Sequence, residues 1–133
     1  MASNDTLIQQ RFPADCAVAS LAMFLDVAYE DVARHCMGYE LAQSGLSWVR
    51  EDYILRLFKT PCDVFDCRIM DWSQPAILSV PSLNEPNGAS HSIYWDGWRA
   101  WDPQQGRKGK GSYSNQMARE LAVTGIQRQS EKD

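Results

Sequence analysis

The sequence predicts an α+β domain, on the evidence of its length, its periodicities and the order in which those periodicities occur. Apolar residues recur at helical spacing up to Phe58, whereas prolines after Lys59 separate short stretches of β-forming residues. Helices followed by strands are typical of α+β folds. Because 133 residues suffice for one hydrophobic core, we expect a single domain over residues 1–133, with a central N-terminal helix packed on a small antiparallel sheet.

Three helices are predicted in the first half of the chain. Residues 16–28 form the most hydrophobic of them and should be buried nearly all round, since apolar side chains occupy most of its surface. Residues 29–37 form a shorter helix that Gly38 ends. Residues 48–58 form the third, with Ser47 as its N-cap. The expected core stripe of this third helix consists of Val49, Tyr53, Ile54 and Leu57.

The second half of the chain is expected to supply the sheet. Residues 75–80 read as a buried strand, and residues 82–89 as a polar loop rich in Pro, Asn and Gly. Residues 90–102 alternate in the manner of a β-hairpin.

Towards the C-terminus the pattern turns polar. Residues 106–112 form a basic Gly/Lys loop that we expect to be mobile, and residues 114–123 form a last helix, ended by Gly125. The polar tail, residues 127–133, is expected to be frayed.

Charge and composition argue against nucleic-acid-binding, membrane-spanning and metal-binding proteins. With 13 basic and 17 acidic residues the net charge is −4, so we expect no nucleic-acid partner. The longest apolar-rich stretch, residues 16–25, is too short to span a bilayer, and the first residues lack the features of a secretory signal. We therefore expect a cytoplasmic protein with free cysteines and no membrane partner. A zinc site formed by Cys62 and Cys67 with His35 and Cys36 is disfavoured by their spacing, so no metal or cofactor is expected.

The predicted hairpin brings a histidine close to a carboxylate. Asp96-Gly97 is a strong signal for a two-residue turn, which sets His91 opposite Asp102 on one face of the hairpin. A carboxylate at that distance accepts an imidazole N–H and fixes its tautomer. The alternative is that His91 is a half-buried strand residue and that Asp102 initiates a turn before Pro103.

Cys16 opens the most hydrophobic helix, where unpaired backbone N–H groups favour a thiolate. Gln10 lies six residues earlier, and its side-chain amide could join the Cys16 N–H in an oxyanion hole. Together with His91 and Asp102 these residues form the set that an acyl-transfer site requires. The alternative for Cys16 is a small buried hydrophobic residue.

Two segments of the chain resemble the C39 peptidases, papain-like cysteine peptidases best known as leader-processing domains of bacteriocin exporters. One is the segment from Gln10 to Met23, with sequence QRFPADCAVASLAM, and the other comprises HSIYW from His91 and WDPQQG from residue 101. The resemblance implies a papain-like fold with Cys16 as nucleophile and His91 as general base and then acid. It further implies that Asp102 orients His91 and that Gln10 completes the oxyanion hole.

The sequence departs from that family at Ala17, where the family has glycine, and a methyl group there narrows the approach to the nucleophile. The exporters' leader-peptide substrate is not carried over. The expected function is a cysteine-dependent peptidase, or a related amide hydrolase or acyltransferase, acting on a peptide or protein, as a stand-alone bacterial or phage-encoded effector. The alternative is an inactive papain-like protein that docks a partner through an exposed aromatic patch of Tyr94, Trp98 or Trp101. The sequence sets no oligomeric state.

Overall fold

A computed structural model of the chain describes residues 6–85 and 88–130, and the expected α+β architecture is confirmed at that level. Its sheet has five antiparallel strands in the order β1-β5-β2-β3-β4. In chain order the elements are α1 (Cys16–Leu25), α2 (Tyr29–Ala33), a π-helical turn (Glu40–Ser44), α3 (Trp48–Leu57), β1 (Cys62–Asp66), β2 (Ala76–Pro81), β3 (Ser90–Trp95), β4 (Ala100–Trp101), α4 (Asn115–Leu121) and β5 (Thr124–Arg128).

Helix α1 is the centre of the main core. Its residues from Ala17 to Phe24 are all buried, as its nearly uninterrupted apolar surface predicts. It packs on one face of the sheet and is covered by α2 and α3, in a cluster that includes Ile77, Tyr94 and Ile126. The helix ends at Leu25, three residues earlier than expected, because Asp26 adopts a left-handed conformation with φ of 57°.

The opposite face of the sheet carries a second, smaller core. Alternate residues of β2 and β3, such as Leu78 and Ile93, point to this face, where they meet Tyr113 and Ala118 of the α4 region. The chain therefore forms three layers, with α1–α3 on one side of the sheet and α4 on the other. Ser114 caps α4 by accepting the N–H of Met117, in line with the helix predicted from residue 114.

The expected helix over residues 29–37 is wrong in its length. Helix α2 ends at Ala33, and Gly38, predicted to end it, instead opens the helical segment that runs into the π-helical turn. Glu40 fixes this segment, since its buried carboxylate accepts the N–H of Met37 at 2.7 Å and pairs with Arg50 at 3.1 Å. That ion pair joins the π-helical turn to α3, a contact that local spacing does not encode.

The core stripe expected on α3 is wrong at three of its four positions, although the helix and its Ser47 cap are as predicted. Val49 is 77% exposed, and Tyr53 and Leu57 are about half exposed. Ile54 is buried as expected, and the helix also buries Glu51 and Leu55. Apolar residues lie on two faces of α3, so periodicity alone does not identify the one that packs inward.

Two neighbouring carboxylates near the start of α3, those of Glu51 and Asp52, lie in different environments. Asp52 pairs with Arg56 one turn later. Glu51 is buried, and burial raises the pKa of its carboxyl to about 7.

The tail expected to be frayed from Gln127 is partly a strand of the sheet. Gln127 and Arg128 belong to β5, which pairs with both β1 and β2. Gln127 is buried, and its side-chain amide donates to the carbonyl of Asp71 at 2.7 Å. Gly125 lies within β5 and does not end α4; a Cβ there would sit 2.1 Å from the sulfur of Met70. Residues 131–133 lie outside the described part of the chain.

None of the helices within residues 6–85 and 88–130 combines the length and the apolarity needed to cross a lipid bilayer.

Candidate active site

The β3–β4 hairpin has a longer turn than the sequence predicts. Trp95 pairs with Ala100, so Asp96 to Arg99 form a four-residue loop, and the predicted pairing of His91 opposite Asp102 is wrong by two residues. Asp96 stabilises this loop, because one of its carboxylate oxygens accepts the N–H groups of Trp98 and Arg99 at 2.8 and 2.7 Å. A shift of two residues preserves the face on which each side chain lies. Asp102 therefore becomes a diagonal neighbour of His91 on the same face.

His91 and Asp102 are in direct contact. The Nε2 atom of His91 lies 2.7 Å from Oδ1 of Asp102, and both side chains are buried. The carboxylate also accepts two backbone N–H groups, from Gln104 on Oδ1 and from Tyr113 on Oδ2, each at 2.8 Å. With three donors on two oxygens, the orientation of Asp102 is fixed, and so is that of the imidazole.

The turn after Asp102 explains the Asp-Pro-x-x-Gly spacing. The N–H of Gln105 returns to the carbonyl of Asp102 at 2.8 Å, and Gly106 has a φ of +79°, which favours glycine. A Cβ on Gly106 would also meet the side-chain nitrogen of Gln9 at 2.9 Å. This turn therefore fixes the backbone at Asp102 and also contacts the N-terminal segment through Gln9.

Asp15 positions the nucleophile candidate Cys16. Its fully buried carboxylate accepts the N–H groups of Arg11 and Phe12 at 2.9 and 3.1 Å, and the hydroxyl of Tyr29. Burial, followed by the hydrogen bond to Asp15, raises the pKa of Tyr29 well above its ordinary value. These bonds close the loop ahead of α1 and set Cys16 at the first position of the helix.

Two residues one turn apart on α1 attach this helix to β3. The sulfur of Cys16 accepts the backbone N–H of Ser92 at 3.4 Å, and the hydroxyl of Ser20 donates to the carbonyl of Ser92 at 3.1 Å. Because Ser92 follows His91, these bonds bring the thiol to the end of the strand that carries the imidazole. A backbone N–H directed at sulfur stabilises negative charge there.

The imidazole of His91 interacts with both Asp102 and Cys16. Burial lowers the pKa of His91, but hydrogen bonds to Asp102 and to Cys16, together with their negative charges, outweigh it and raise the pKa to about 9. Since Nε2 is taken by Asp102, Nδ1 is the ring atom left for the sulfur. The structure thus brings a thiol, an imidazole and a carboxylate into one region.

The other three thiols lie in environments that favour the protonated form. Burial raises the pKa of Cys36, Cys62 and Cys67 to about 11 in each case. All four cysteines are free.

The backbone of Gln10 is joined to the turn after Asp102, but its side-chain amide is bound to its own loop. The side-chain nitrogen donates to the carbonyl of Phe12 at 2.9 Å and approaches that of Pro13 at 3.5 Å. Its side-chain oxygen is buried and has no partner among the described residues. Exchanging the two atoms would set oxygen against two carbonyls, so the hydrogen bonds favour the present orientation. In this conformation Gln10 offers no N–H to a reacting carbonyl.

A groove of about 510 Å³ runs over Cys16 and His91. Ala17 lies in the groove next to Cys16, and its methyl group stands where a glycine would have only a hydrogen. The remaining lining is mostly small or neutral: Pro13, Ala14, Gln43, Ser44, Gly45, Leu46, Ser82, Glu85, Ala89, Ser90, Ser92 and Gln104.

One wall of the groove comes from the connection between β2 and β3, expected as the polar loop 82–89. The hydroxyl of Ser82 accepts the N–H groups of Asn84 and Glu85 at 3.2 and 3.0 Å. Asn84 exchanges two hydrogen bonds with Gly111, at 2.8 and 2.9 Å, which attach the loop to residues 106–112. Pro86 and Asn87 lie outside the described residues.

Of the three aromatic residues expected as alternatives for an exposed docking patch, one is exposed and two are buried. Trp98, at the tip of the hairpin, is 81% exposed. Trp101 and Tyr94 are buried, and they pair with each other across β3 and β4.

The sequence did not reveal three residues that support the site: Asp15, Gln104 and Tyr113. Asp15 carried a usable signal, since an acidic residue four positions after Arg11 and just before a helix is typical of a loop closed by a buried carboxylate. Gln104 and Tyr113 donate backbone N–H groups to the carboxylate of Asp102. Contacts made by the backbone cannot be predicted from a pattern of side chains.

Across the described residues, no group of three or more His, Cys, Asp or Glu side chains is arranged to hold a metal ion. Comparison of the chain with protein-family models, with curated proteins and with solved structures gives no match. We therefore infer the function from the geometry of the site itself.

Proposed function

We propose that this protein is a cysteine-dependent amide hydrolase, most simply a peptidase, with Cys16 as nucleophile, His91 as acid and base, and Asp102 as the residue that orients His91. The observation that carries the proposal is the position of the His91 side chain, whose ring lies 2.7 Å from the Asp102 carboxylate and which lines the same groove as Cys16. Both lie in a groove that is open to a ligand.

In the first half of the proposed reaction, the thiolate of Cys16 attacks the carbonyl carbon of the substrate amide. The resulting oxyanion receives the backbone N–H of Cys16, which lies in the first turn of α1 and has no intrahelical acceptor. His91 carries the proton, because its pKa of about 9 keeps the ring charged at neutral pH. It gives that proton to the departing amine as the C–N bond breaks, which leaves a thioester on Cys16.

In the second half, neutral His91 accepts a proton from water, and the hydroxide attacks the thioester carbon. The C–S bond breaks, the carboxylic acid leaves and the Cys16 thiolate with a charged His91 is restored. Asp102 stabilises the imidazolium in both halves through its Oδ1. An amine in place of water at this step would make the protein an acyltransferase.

We further propose that the α+β architecture is a papain-like fold of the C39 type. Support comes from the order of elements, with a cysteine at the start of a buried helix, a histidine at the start of a strand and an aspartate after the next strand. Gln10 is the departure, because its amide nitrogen is bound to its own loop. The proposed substrate is a peptide or protein segment, since the groove of about 510 Å³ is lined mainly by small neutral residues.

The proposal is tested by incubating the protein with a pool of short peptides and following cleavage by mass spectrometry. We expect fragments from the wild-type protein and none from Cys16→Ala, with His91→Ala reduced by at least about a thousandfold. Cys36→Ala is the matched control and should cleave like wild type. Cleavage that survives in Cys16→Ala would overturn the proposal.

A further inference from the structure

Two glutamine residues line the groove, the exposed Gln43 and the buried Gln104, whereas Gln10 is not part of the lining. Gln104 is only 7% exposed, and its backbone N–H shares Oδ1 of Asp102 with the imidazole of His91. It lines the groove together with Cys16. Apart from His91, it is the buried polar side chain in the lining.

The orientation of the Gln104 amide is set by one bond. Its side-chain oxygen accepts an N–H of Arg107 at 3.0 Å, and Arg107 is not part of the groove lining. The oxygen and the nitrogen of a carboxamide point in different directions within one plane, so this bond directs the nitrogen away from Arg107. Among the described residues, that nitrogen has no hydrogen-bond acceptor.

An amide N–H in the wall of a groove needs a hydrogen-bond acceptor in any ligand that covers it. Covering it without one would cost the free energy of an unmade hydrogen bond. A peptide supplies one carbonyl acceptor per residue, whereas the walls near Gln104 are mostly small and neutral. The only other glutamine expected to reach a substrate, Gln10, has its nitrogen bound to Phe12.

We propose that Gln104 binds the substrate, with its side-chain nitrogen donating a hydrogen bond to a backbone carbonyl of a peptide lying in the groove beside Cys16. Arg107 positions this amide. The inference rests on the proposed function, because it concerns the same groove, but it assigns a role to a residue outside the proposed triad.

The test compares two electrophiles on Cys16 by mass spectrometry of the intact protein. Iodoacetamide carries no peptide chain beyond its own amide, whereas a panel of tetrapeptide vinyl sulfones fills the groove. In Gln104→Met, which keeps the side-chain length, we expect the vinyl sulfone rate to fall about tenfold, equivalent to about 1.4 kcal/mol, with the iodoacetamide rate unchanged. Arg107→Met should lower the vinyl sulfone rate by a smaller factor.

Gln105→Met is the matched control, since Gln105 is on the same turn but outside the groove lining, and it should behave like wild type. The inference is overturned if Gln104→Met reacts with the vinyl sulfones as fast as wild type. It is equally overturned if Gln104→Met lowers the reaction rates of both electrophiles by the same factor, because Gln104 would then act through His91. Failure of wild-type Cys16 to react with either probe would instead remove the proposed function itself.

Discussion

The backbone N–H of Gln10 donates to the carbonyl oxygen of Pro103 at 3.0 Å. This bond joins the segment that leads into Cys16 to the turn that follows Asp102. Gln9 adds a second bond, from its side chain to the carbonyl of Gln105 at 2.8 Å. The nucleophile candidate and the carboxylate are therefore held by direct backbone contact as well as through β3, and substitutions of the reacting side chains should leave these segments in place.

Cys16 should be the fastest of the four thiols to react with iodoacetamide at pH 7.5. Its sulfur accepts the N–H of Ser92 and lies beside a charged imidazole, whereas a pKa of about 11 leaves Cys36, Cys62 and Cys67 almost entirely protonated. Peptide mapping after timed alkylation measures the four rates. We expect Cys16 to lead by at least about tenfold, and equal rates would contradict the site geometry.

Peptide cleavage should fall as pH rises through about 9. Above the pKa of His91 the ring has lost the proton that the leaving amine requires, so the rate declines on the alkaline side. Asp102→Asn removes the negative charge that strengthens the hydrogen bond to His91 and raises this pKa, so the midpoint should move to lower pH. Rate profiles of the two proteins check this.

Alkylation of Cys16 by iodoacetamide is the control for that experiment, because it consumes a thiolate and needs no proton donor. Its rate should not decline on the alkaline side in either protein. A cleavage profile with the same alkaline midpoint in wild type and Asp102→Asn would contradict the role assigned to Asp102.

Glu51→Gln should stabilise the fold at alkaline pH. The pKa of Glu51 is about 7 in the folded protein against an ordinary 4.5, so the unfolded chain ionises first as pH rises. Wild type therefore loses free energy of unfolding between pH 4.5 and 7, by at most about 3 kcal/mol, and the loss persists above pH 7. Urea unfolding at pH 4 and pH 8 measures it.

In Glu51→Gln the difference between the two pH values should be smaller, with the gain confined to pH 8. Asp52→Asn is the matched control, since Asp52 is a neighbouring carboxylate paired with Arg56 on the surface. An equal gain at pH 4 and pH 8 would show that burial of the Glu51 charge is not the cause.

Gly125→Ala should destabilise the protein by about 1–3 kcal/mol, because the added methyl group meets the sulfur of Met70 inside the sheet. Gly38→Ala is the control, since a Cβ there meets nothing within 4 Å and its φ is not positive. It should be neutral or slightly stabilising in a helical segment. Thermal unfolding of both variants checks the placement of β5; an unchanged Gly125→Ala would argue that this segment is frayed after all.

Local signals predicted the parts of the fold that depend on local interactions. The buried helix from Cys16, the Ser47 and Ser114 caps and the strand over residues 75–80 follow from spacing and capping chemistry. Strands β1 and β5 were not predicted, because they pair with each other across about sixty residues and carry polar side chains on one face. Long-range pairing of this kind leaves little trace in a short window of sequence.

In the candidate site, too, local features were predictable and features set by long-range contacts were not. His91 and Asp102 were placed together through a turn of the wrong length, and the pairing survives because an error of two residues leaves the faces of a strand unchanged. The orientation of the Gln10 amide was not predictable, since it depends on the carbonyls of Phe12 and Pro13. Tertiary packing also determines which face of α3 is buried, and Glu51 lies on that face.

The position of β5 has a consequence for the order of assembly. In the described part of the chain this strand follows the other four, yet it lies between β1 and β2 and not at an edge. As a ribosome releases the polypeptide, Cys16, His91 and Asp102 all emerge before residues 124–128, and until then β1 has no neighbour with which to pair. The sheet beneath the groove is thus completed only once residues 124–128 have emerged.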